Sequence, residues 1–265
     1  MNKYSVVIPM YNSAETITES LDSILQQTKY ELIDEIVIVD DGSKDDSVSV
    51  VQGFIERTKC NKIHLIQKEN GGAASARNVG IASAKNDWIA LLDADDTWNA
   101  NKIQLQDAVL EAHPNIKALG TNRDGEVISH GTQIKEGLYH LTPFQYCVKN
   151  WPCTPSLIFN KKVFSNQLYF DESLSHAEEG IFYLDLAAKA GLYYISEPLV
   201  LCGGGKPAFG HSGLSGNIKK MHQGVLKMMK IAYKKGYLST MEYIFVNALE
   251  YVKYLRRKLI VASRK

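Results

Sequence analysis

The sequence predicts an α/β fold with a mostly parallel central sheet flanked by helices, followed by a helical C-terminal extension. Four short apolar runs, YSVVIPMY (4–11), EIVIVD (35–40), KIHLIQ (62–67) and DWIALLD (87–93), alternate with segments of helical spacing. The runs lack an apolar–polar alternation, which is typical of strands covered on both faces. Their spacing along the chain favours consecutive βαβ units, and therefore a parallel sheet in this part of the chain.

Helices are predicted where apolar residues recur every three or four positions. This pattern covers 17–25, 48–55, 102–113 and 177–190, and Gly191 is placed to end the last of these helices. The pattern returns over 217–262 and predicts the helical extension.

We divide the chain into three parts. Residues 1–100 contain the predicted βαβ units, residues 101–216 are less periodic and form a second half of the same domain, and residues 217–265 form the basic helical extension. The chain has 265 residues, of which 45% are hydrophobic and 22% charged. This length and composition are those of an ordinary globular protein.

Targeting signals and structural metal motifs are not predicted. The N-terminal apolar run is short and interrupted by Pro9, and no run approaches the roughly 18–20 apolar residues that span a bilayer. The four cysteines have no zinc-type spacing. These features favour a cytoplasmic location, a reducing compartment and no structural metal.

Charge divides the chain unevenly. From Asn217 onward there are 12 Lys and Arg but only two acidic residues, although the net charge of the whole chain is +1. Basic residues mixed with Leu, Met, Tyr and Ile at helical spacing suit the surface of an anionic membrane, so peripheral contact with the inner face of the plasma membrane is one prediction. The alternative is that these helices pack on the domain with solvated charges. Nucleic acid is not expected, because the rest of the chain is acidic.

Polar residues follow each predicted strand. The strand ends read PMYNS, VDDGS, QKENGG and LDADD. Ligands of open parallel sheets bind beyond the carboxyl ends of the strands, and helix N-termini there favour phosphate. The sequence therefore predicts a site for a polar, phosphate-bearing ligand at this edge.

The segment LLDADDTW carries three carboxylates, Asp93, Asp95 and Asp96. One of them could cap a helix, but three carboxylates this close raise one another's pKa unless a cation lies between them. Mn²⁺ or Mg²⁺, which take carboxylate and phosphate oxygens, would resolve the conflict. In VDDGS, Asp40 or Asp41 could equally cap the helix that follows or contact a ligand. Arg77 in NGGAASARN could pair with a surface acid or with a diphosphate.

The motifs VVIPMYN, VDDGSKDDS, NGGAASARNVG and LLDADDTW, in this order, resemble those of family 2 glycosyltransferases. The similarity is strong over 4–100, weaker over 150–215 and absent beyond. It implies the Rossmann-like A-type nucleotide-diphospho-sugar transferase fold and, from the bacterial members, synthesis of surface polysaccharide, lipopolysaccharide or capsule.

The resemblance also implies a role for each matched residue. Asp41 would bind the base, Asp95 would approach the ribose and the metal, and Asp96 would bind the metal. Asp93 would contact Arg77 or the donor sugar. The nucleotide-sugar site as a whole would comprise Pro9, Tyr11, Asn12, Asp41, Asn70, Gly71, Arg77, Asp93, Asp95 and His211.

The family places an acid pair, usually Glu-Asp, at a helix start as the source of the general base. This chain has Glu178 and Glu179, with Glu179 in the position of the Asp. Electrostatic support of the helix N-terminus is the alternative. His211 could bind the metal or the diphosphate, and Trp151 could stack on an acceptor sugar or belong to the core.

The predicted reaction is inverting transfer of a sugar from a nucleotide diphosphate, UDP being the expected nucleotide, to a glycan or lipid-linked acceptor. Glu179 would deprotonate the acceptor hydroxyl. The first alternative is a sugar-nucleotide sensor or non-catalytic assembly partner, suggested by the Glu-Glu pair. A nucleotidyltransferase is the second, and it lacks support because no Lys or Arg follows the first strand in PMYNSAET.

Overall fold

In the computed structural model of the chain, residues 2–126, 129–164, 169–172, 178–203 and 217–263 are described. Within these ranges the chain forms ten β-strands and eight α-helices. The strands are β1 (Tyr4–Met10), β2 (Ile33–Asp40), β3 (Ile63–Gln67), β4 (Trp88–Leu91), β5 (Thr97–Trp98), β6 (Ala118–Arg123), β7 (Thr132–Lys135), β8 (Leu138–Leu141), β9 (Ile158–Asn160) and β10 (Leu192–Leu201). The helices are α1 (Ile17–Leu25), α2 (Ser47–Thr58), α3 (Ala73–Ser83), α4 (Lys102–Ala112), α5 (Pro143–Val148), α6 (Glu178–Lys189), α7 (Ile218–Lys234) and α8 (Thr240–Ser263).

The described strands form one sheet in the order β3-β2-β1-β4-β9-β6-β10-β8-β7, and β5 pairs with β10. The pairs β1–β2, β1–β4 and β2–β3 are parallel, as the βαβ pattern predicts. The short strand β9 runs antiparallel between β4 and β6. Seven of the ten described strands point the same way, so the predicted mostly parallel sheet is confirmed.

Two apolar layers cover the sheet, one on each face. Val7 and Val39 face α3, α6 and α7, whereas Val6, Ile8 and Ile38 face α1, α2 and α4. Neighbouring residues of one strand point to opposite faces, so a strand covered on both sides needs an unbroken apolar sequence. This explains why VVIPM and IVIV carry no polar alternation.

The predicted helical extension consists of α7 and α8, which pack on each other and on α5 and α6. Met228, Met229 and Val246 bury the contact with the domain. Glu250 is buried in α8, where its carboxylate lies 3.1 Å from Nδ1 of His222 and accepts a 2.9 Å hydrogen bond from Arg257. Among the described residues, no helix has the length and apolar character to cross a membrane.

Candidate nucleotide-sugar site

A cavity of about 880 Å³ opens at the carboxyl ends of β1, β2 and β4, beside the N-terminus of α3. The polar ends of the strands converge here because the strands are parallel. Of the predicted nucleotide-sugar residues, the described lining includes Pro9, Tyr11, Asn12, Asp41, Asn70, Arg77, Asp93 and Asp95. The site is therefore assembled from all four sequence motifs.

Asp41 fixes the turn that leads into α3. Its Oδ1 accepts hydrogen bonds from Nζ of Lys68 at 2.7 Å and from the Gly71 N–H at 2.9 Å, and its Oδ2 accepts one from the Gly72 N–H at 2.7 Å. Gly72 has φ +89°, a conformation that other residues rarely adopt. Asn70 completes the turn by donating from Nδ2 to the Asp41 carbonyl at 2.9 Å. A carboxylate has about four lone-pair positions, so Oδ2 retains one for a ligand.

The loop after β1 places two exposed residues, Tyr11 and Asn12, on the wall of the cavity. Asn12 has φ +49° and accepts at Oδ1 from the Lys44 N–H at 2.8 Å, while its own N–H donates to Oγ of Ser43 at 2.9 Å. These contacts join the loop after β1 to the loop after β2. Tyr11, next to it, is 48% exposed although it lines the cavity. An exposed ring on a cavity wall is available to stack on a planar base.

Arg77 lies on α3 with only 7% of its surface exposed. Its Nη2 donates to Oδ1 of Asp93 at 2.7 Å, and its guanidinium lies 5.4 Å from the ring centroid of Phe170. The structure thus contains one of the two contacts that the resemblance implied for Asp93. The ion pair and the ring contact help to hold the guanidinium in place at the wall of the cavity.

Asp95 and Asp96 differ sharply in their surroundings. The Asp96 N–H donates to the Asp93 carbonyl at 3.1 Å, which closes a turn that exposes Asp95 and buries Asp96 to 6% exposure. Burial, followed by the negative charges of Asp93 and Asp95, raises the pKa of Asp96 to about 9. Its Oδ1 accepts a 2.6 Å hydrogen bond from the N–H of Gly203, two residues beyond β10. No described basic side chain forms an ion pair with Asp96.

This environment fits a divalent cation. Asp96 is buried, has two acidic neighbours and forms no ion pair with a cation within the described ranges. Hard oxygen donors of this kind are those that Mn²⁺ and Mg²⁺ prefer. Within the described ranges no three His, Cys, Asp or Glu side chains form a metal-binding group by themselves. Phosphate oxygens of a nucleotide can complete the coordination, as they do in many Mg²⁺ sites.

The predicted catalytic pair begins α6. Glu178 starts the helix, and its side chain lies outside the described residues, as does His211. Glu179 is half-buried. Tyr146 and Tyr183 stack with ring centroids 5.3 Å apart, and their pKa values are raised by burial and, to a smaller extent, by the Glu179 charge. The described lining of the cavity contains no residue of α6.

Trp151 does not offer a face for sugar stacking. It is 4% exposed, and its Nε1 donates to Oδ1 of Asn122 at 2.8 Å, so it belongs to the core. Lys68, Phe170 and the Gly203 N–H were not predicted from the sequence to belong to the site. Lys68 could have been found, because it directly follows β3 and precedes the glycine pair at the same edge of the sheet. Phe170 and Gly203 are distant in sequence and carried no signal.

Comparison with known proteins agrees with this geometry. The family model described as "Glycosyl transferase family 2" matches residues 5–156. An uncharacterized glycosyltransferase of Rickettsia felis is 29% identical over 203 residues, 74% of this chain and 32% of the relative. The Staphylococcus aureus poly(ribitol-phosphate) beta-N-acetylglucosaminyltransferase TarS is 29% identical over 192 residues, 69% of this chain and 32% of TarS. The chain thus spans about a third of the length of these relatives.

Solved structures share the fold. The crystal structure of S. aureus TarS 1–349 in complex with UDP-GlcNAc has a TM-score of 0.68 at 23% identity, over 96% of this chain and 72% of that one. The Pyrobaculum calidifontis mannosyltransferase PcManGT, in complex with GDP-Man and Mn²⁺, has a TM-score of 0.67 at 20% identity, over 94% and 68%. The fold is the A-type glycosyltransferase fold, and the chain belongs to glycosyl transferase family 2.

Proposed function

We propose that this protein is an inverting glycosyltransferase that uses a nucleotide-diphospho-sugar, with UDP as the nucleotide. The observation that carries the proposal is the cavity of about 880 Å³, in which Tyr11, Asp41, Arg77 and Asp95 meet at one edge of the sheet. Its size suits a nucleotide sugar, since ligand cavities typically measure about 300–1,000 Å³. TarS has been crystallised with UDP and with UDP-GlcNAc, which supports the choice of donor.

The nucleoside would bind between Tyr11 and Asp41. The exposed Tyr11 ring stacks on the base, and the remaining lone pair of Asp41 Oδ2 accepts a base N–H such as that of uracil. The diphosphate then extends toward α3, where Ala73 lines the cavity. N–H groups in the first turn of a helix have no intrahelical acceptor and carry partial positive charge, so they stabilise phosphate.

Asp95 and Asp96 are the residues that would hold Mn²⁺ or Mg²⁺. When bound, such a cation neutralises charge on a departing diphosphate. Arg77 keeps Asp93 in place at the same turn, so the carboxylates stay fixed relative to the nucleotide.

Glu179 would act as the general base. Its carboxylate takes the proton of an acceptor hydroxyl, the acceptor oxygen attacks the anomeric carbon, and the nucleotide leaves from the opposite face with inversion. Support comes from the family resemblance and from the position of Glu179 in the first turn of α6, where it remains half-buried.

The test compares Glu179→Gln with Glu178→Gln, a matched change one residue away. Each variant is assayed for UDP binding by calorimetry and for release of UDP from UDP-GlcNAc with Mn²⁺. We expect Glu179→Gln to bind UDP normally and to lose about 10²–10⁴-fold in turnover, the usual contribution of a general base. Loss only in Glu178→Gln would exchange the two roles. Wild-type protein that binds UDP but never releases a sugar would identify a sensor instead.

The acceptor is proposed to be a surface glycan or a lipid-linked precursor of one. The named activity of TarS, transfer to poly(ribitol-phosphate), supports this class. A screen of UDP-GlcNAc transfer to isolated cell-envelope glycans and lipid-linked oligosaccharides, with soluble oligosaccharides as the control, tests it. Transfer to the soluble set alone would contradict the proposal.

Docking of α8 on an anionic membrane would bring the enzyme to such an acceptor. The exposed face of α8 is apolar along its length, with Met241, Phe245, Leu255 and Leu259 all at least 44% exposed. Arg256 and Lys258 are also exposed beside this stripe. Apolar residues flanked by cations are what an interfacial helix requires.

Sedimentation with phosphatidylglycerol vesicles tests the docking. Leu259→Asp should weaken binding about tenfold, since it removes apolar area and adds repulsion from the lipid. Ile134→Asp changes an equally apolar side chain, 50% exposed on β7, and is expected to bind normally. Equal sedimentation of both variants and the wild type would rule out docking through α8.

A further inference from the structure

A second cavity, of about 690 Å³, lies between α8 and the segment that follows α5. Four cationic side chains line it, and His130 and three aliphatic residues form the rest of the wall. The cations are Lys149, Lys253, Arg256 and Arg257. No residue is shared with the described lining of the nucleotide-sugar cavity. Nothing in the glycosyl transfer described above uses this cavity.

The positive charge of this second cavity is only partly compensated. Arg257 donates from Nη2 to Glu250 at 2.9 Å, and Glu250 also lies 3.1 Å from His222. Lys253 donates from Nζ to the Val148 carbonyl, which is neutral. In the part of the chain that the structure describes, Lys149, Lys253 and Arg256 form no ion pair with an acidic side chain. Among the described residues, Glu250 is therefore the one carboxylate that forms an ion pair with this cluster of four cations.

Burial and mutual repulsion both act against these charges. Burial lowers the pKa of Lys149 and, separately, the pKa of Lys253. The charge of Arg123 lowers the pKa of Lys149 further, whereas Glu126 raises it. The charges of Arg257 and Lys149 lower the pKa of Lys253 further, whereas Glu250 raises it. Cations that crowd at the wall of a cavity are stabilised by an anion that enters it.

We propose that this cavity binds a phosphate-bearing anion of about the size of a diphosphate. Arg256 and Arg257 present planar forks that match phosphate oxygens. Lys149 adds a point charge on the opposite wall, and Lys253 reaches that wall from α8, where its Nζ donates to the Val148 carbonyl. The volume exceeds that of a single phosphate, and Val148, Leu249 and Ile260 provide an apolar surface for the group that the phosphate carries. The source is a soluble phosphate ester or a phospholipid headgroup, since both offer the same chemistry.

The test uses inorganic pyrophosphate as the probe, titrated into the full chain by calorimetry. EDTA is present, so that no metal-dependent binding contributes to the heat. Any heat from the nucleotide-sugar cavity is the same in every variant, because none of the substituted residues lines that cavity. The variants are Arg256→Gln alone and Lys149→Gln with Arg256→Gln. The control is Lys258→Gln, which removes the same charge from an exposed position of α8 that does not line the cavity. Arg256 is exposed, so its single variant keeps the fold even if the double variant does not.

We expect Arg256→Gln to weaken pyrophosphate binding about tenfold, the double variant about a hundredfold, and Lys258→Gln less than twofold, because charged hydrogen bonds contribute most of the affinity. Equal affinities in all four proteins would overturn the proposal, as would a wild type that binds neither pyrophosphate nor phosphatidylglycerol vesicles.

Vesicles then separate the two sources. Pyrophosphate that displaces wild-type protein from phosphatidylglycerol vesicles, with no displacement of the double variant, identifies a lipid headgroup. Pyrophosphate binding without displacement identifies a soluble ester. Both results support the cavity as an anion site, and neither depends on glycosyltransferase activity.

Discussion

The ion pair between Arg77 and Asp93 is the contact that holds the LLDADD turn against α3, and its strength can be measured. We consider Arg77→Gln, Asp93→Asn and the double variant. Asparagine is nearly isosteric with aspartate, and glutamine is a shorter polar replacement for arginine; each substitution removes the charge. Loss of Arg77 leaves the Asp93 carboxylate near Asp96 without its cation. The losses of unfolding free energy in the two single variants should therefore add up to more than the loss in the double variant.

The magnitude follows from the geometry. Two unit charges about 4 Å apart attract by about 4 kcal/mol at an effective dielectric constant of about 20. The Arg77 side chain is 8% exposed, but that of Asp93 is 26% exposed, so water screens one partner and not the other. Partial screening and the cost of desolvating both groups reduce the net coupling to about 2 kcal/mol.

Urea unfolding of the four proteins gives this coupling directly as the departure from additivity. The measurements are made without nucleotide and with EDTA, so that only the protein contributes. A coupling free energy near 2 kcal/mol is the expected result. A value below about 0.5 kcal/mol would refute the reasoning, because it would show that the pair behaves as a screened surface pair.

Three further predictions concern stability. Without metal, the unfolding free energy of the wild type should fall by about 1 kcal/mol per pH unit between pH 6 and 9, because a carboxyl whose folded pKa is raised to about 9 contributes stability at low pH that is lost as pH rises. Urea unfolding of Asp96→Asn should show no such fall. Gly120→Ala would place Cβ 2.1 Å from Cγ of Pro152 and should cost about 1–3 kcal/mol, whereas Gly53→Ala on α2 meets nothing within 4 Å and should stabilise by about 0.5–1 kcal/mol in thermal unfolding. Lys102→Met should raise the unfolding free energy at pH 7 by about 1–3 kcal/mol in urea, since Nζ is fully buried without a hydrogen bond; an unchanged or lower value would show that its contact with a ring, 4.0 Å away, compensates.

Much of the first hundred residues could be predicted from the sequence, since local pattern and tertiary structure agree there. The run EIVIVD corresponds to β2, and the pattern in GSKDDSVSVVQGF corresponds to α2. The predicted convergence of strand ends is also present, because parallel strands place their carboxyl ends at one edge. Here the chemistry of the site depends on short segments that follow regular elements.

The second half was harder to predict because its pairings are non-local. β6 pairs with β9 and β10, and β7 and β8 were not predicted at all. β7 is exposed along its whole length, so it lacks the apolar pattern that marks a buried strand. Lys102 was not recognised either, because a lysine on an ordinary helical pattern gives no sign that it will be buried over a ring.

Asp41 has a consequence for how nucleotide preference could evolve in this chain. One carboxylate holds Lys68, Gly71 and Gly72 while it faces the cavity. Asp41→Asn would turn one acceptor oxygen into a donor opposite an N–H or an ammonium group, so a mutation that alters recognition of the base would also loosen the turn before α3. A single substitution at position 41 is therefore not expected to change the nucleotide preference without destabilising this turn. Tyr11, which is 48% exposed on the cavity wall, is the position at which a new base preference can begin.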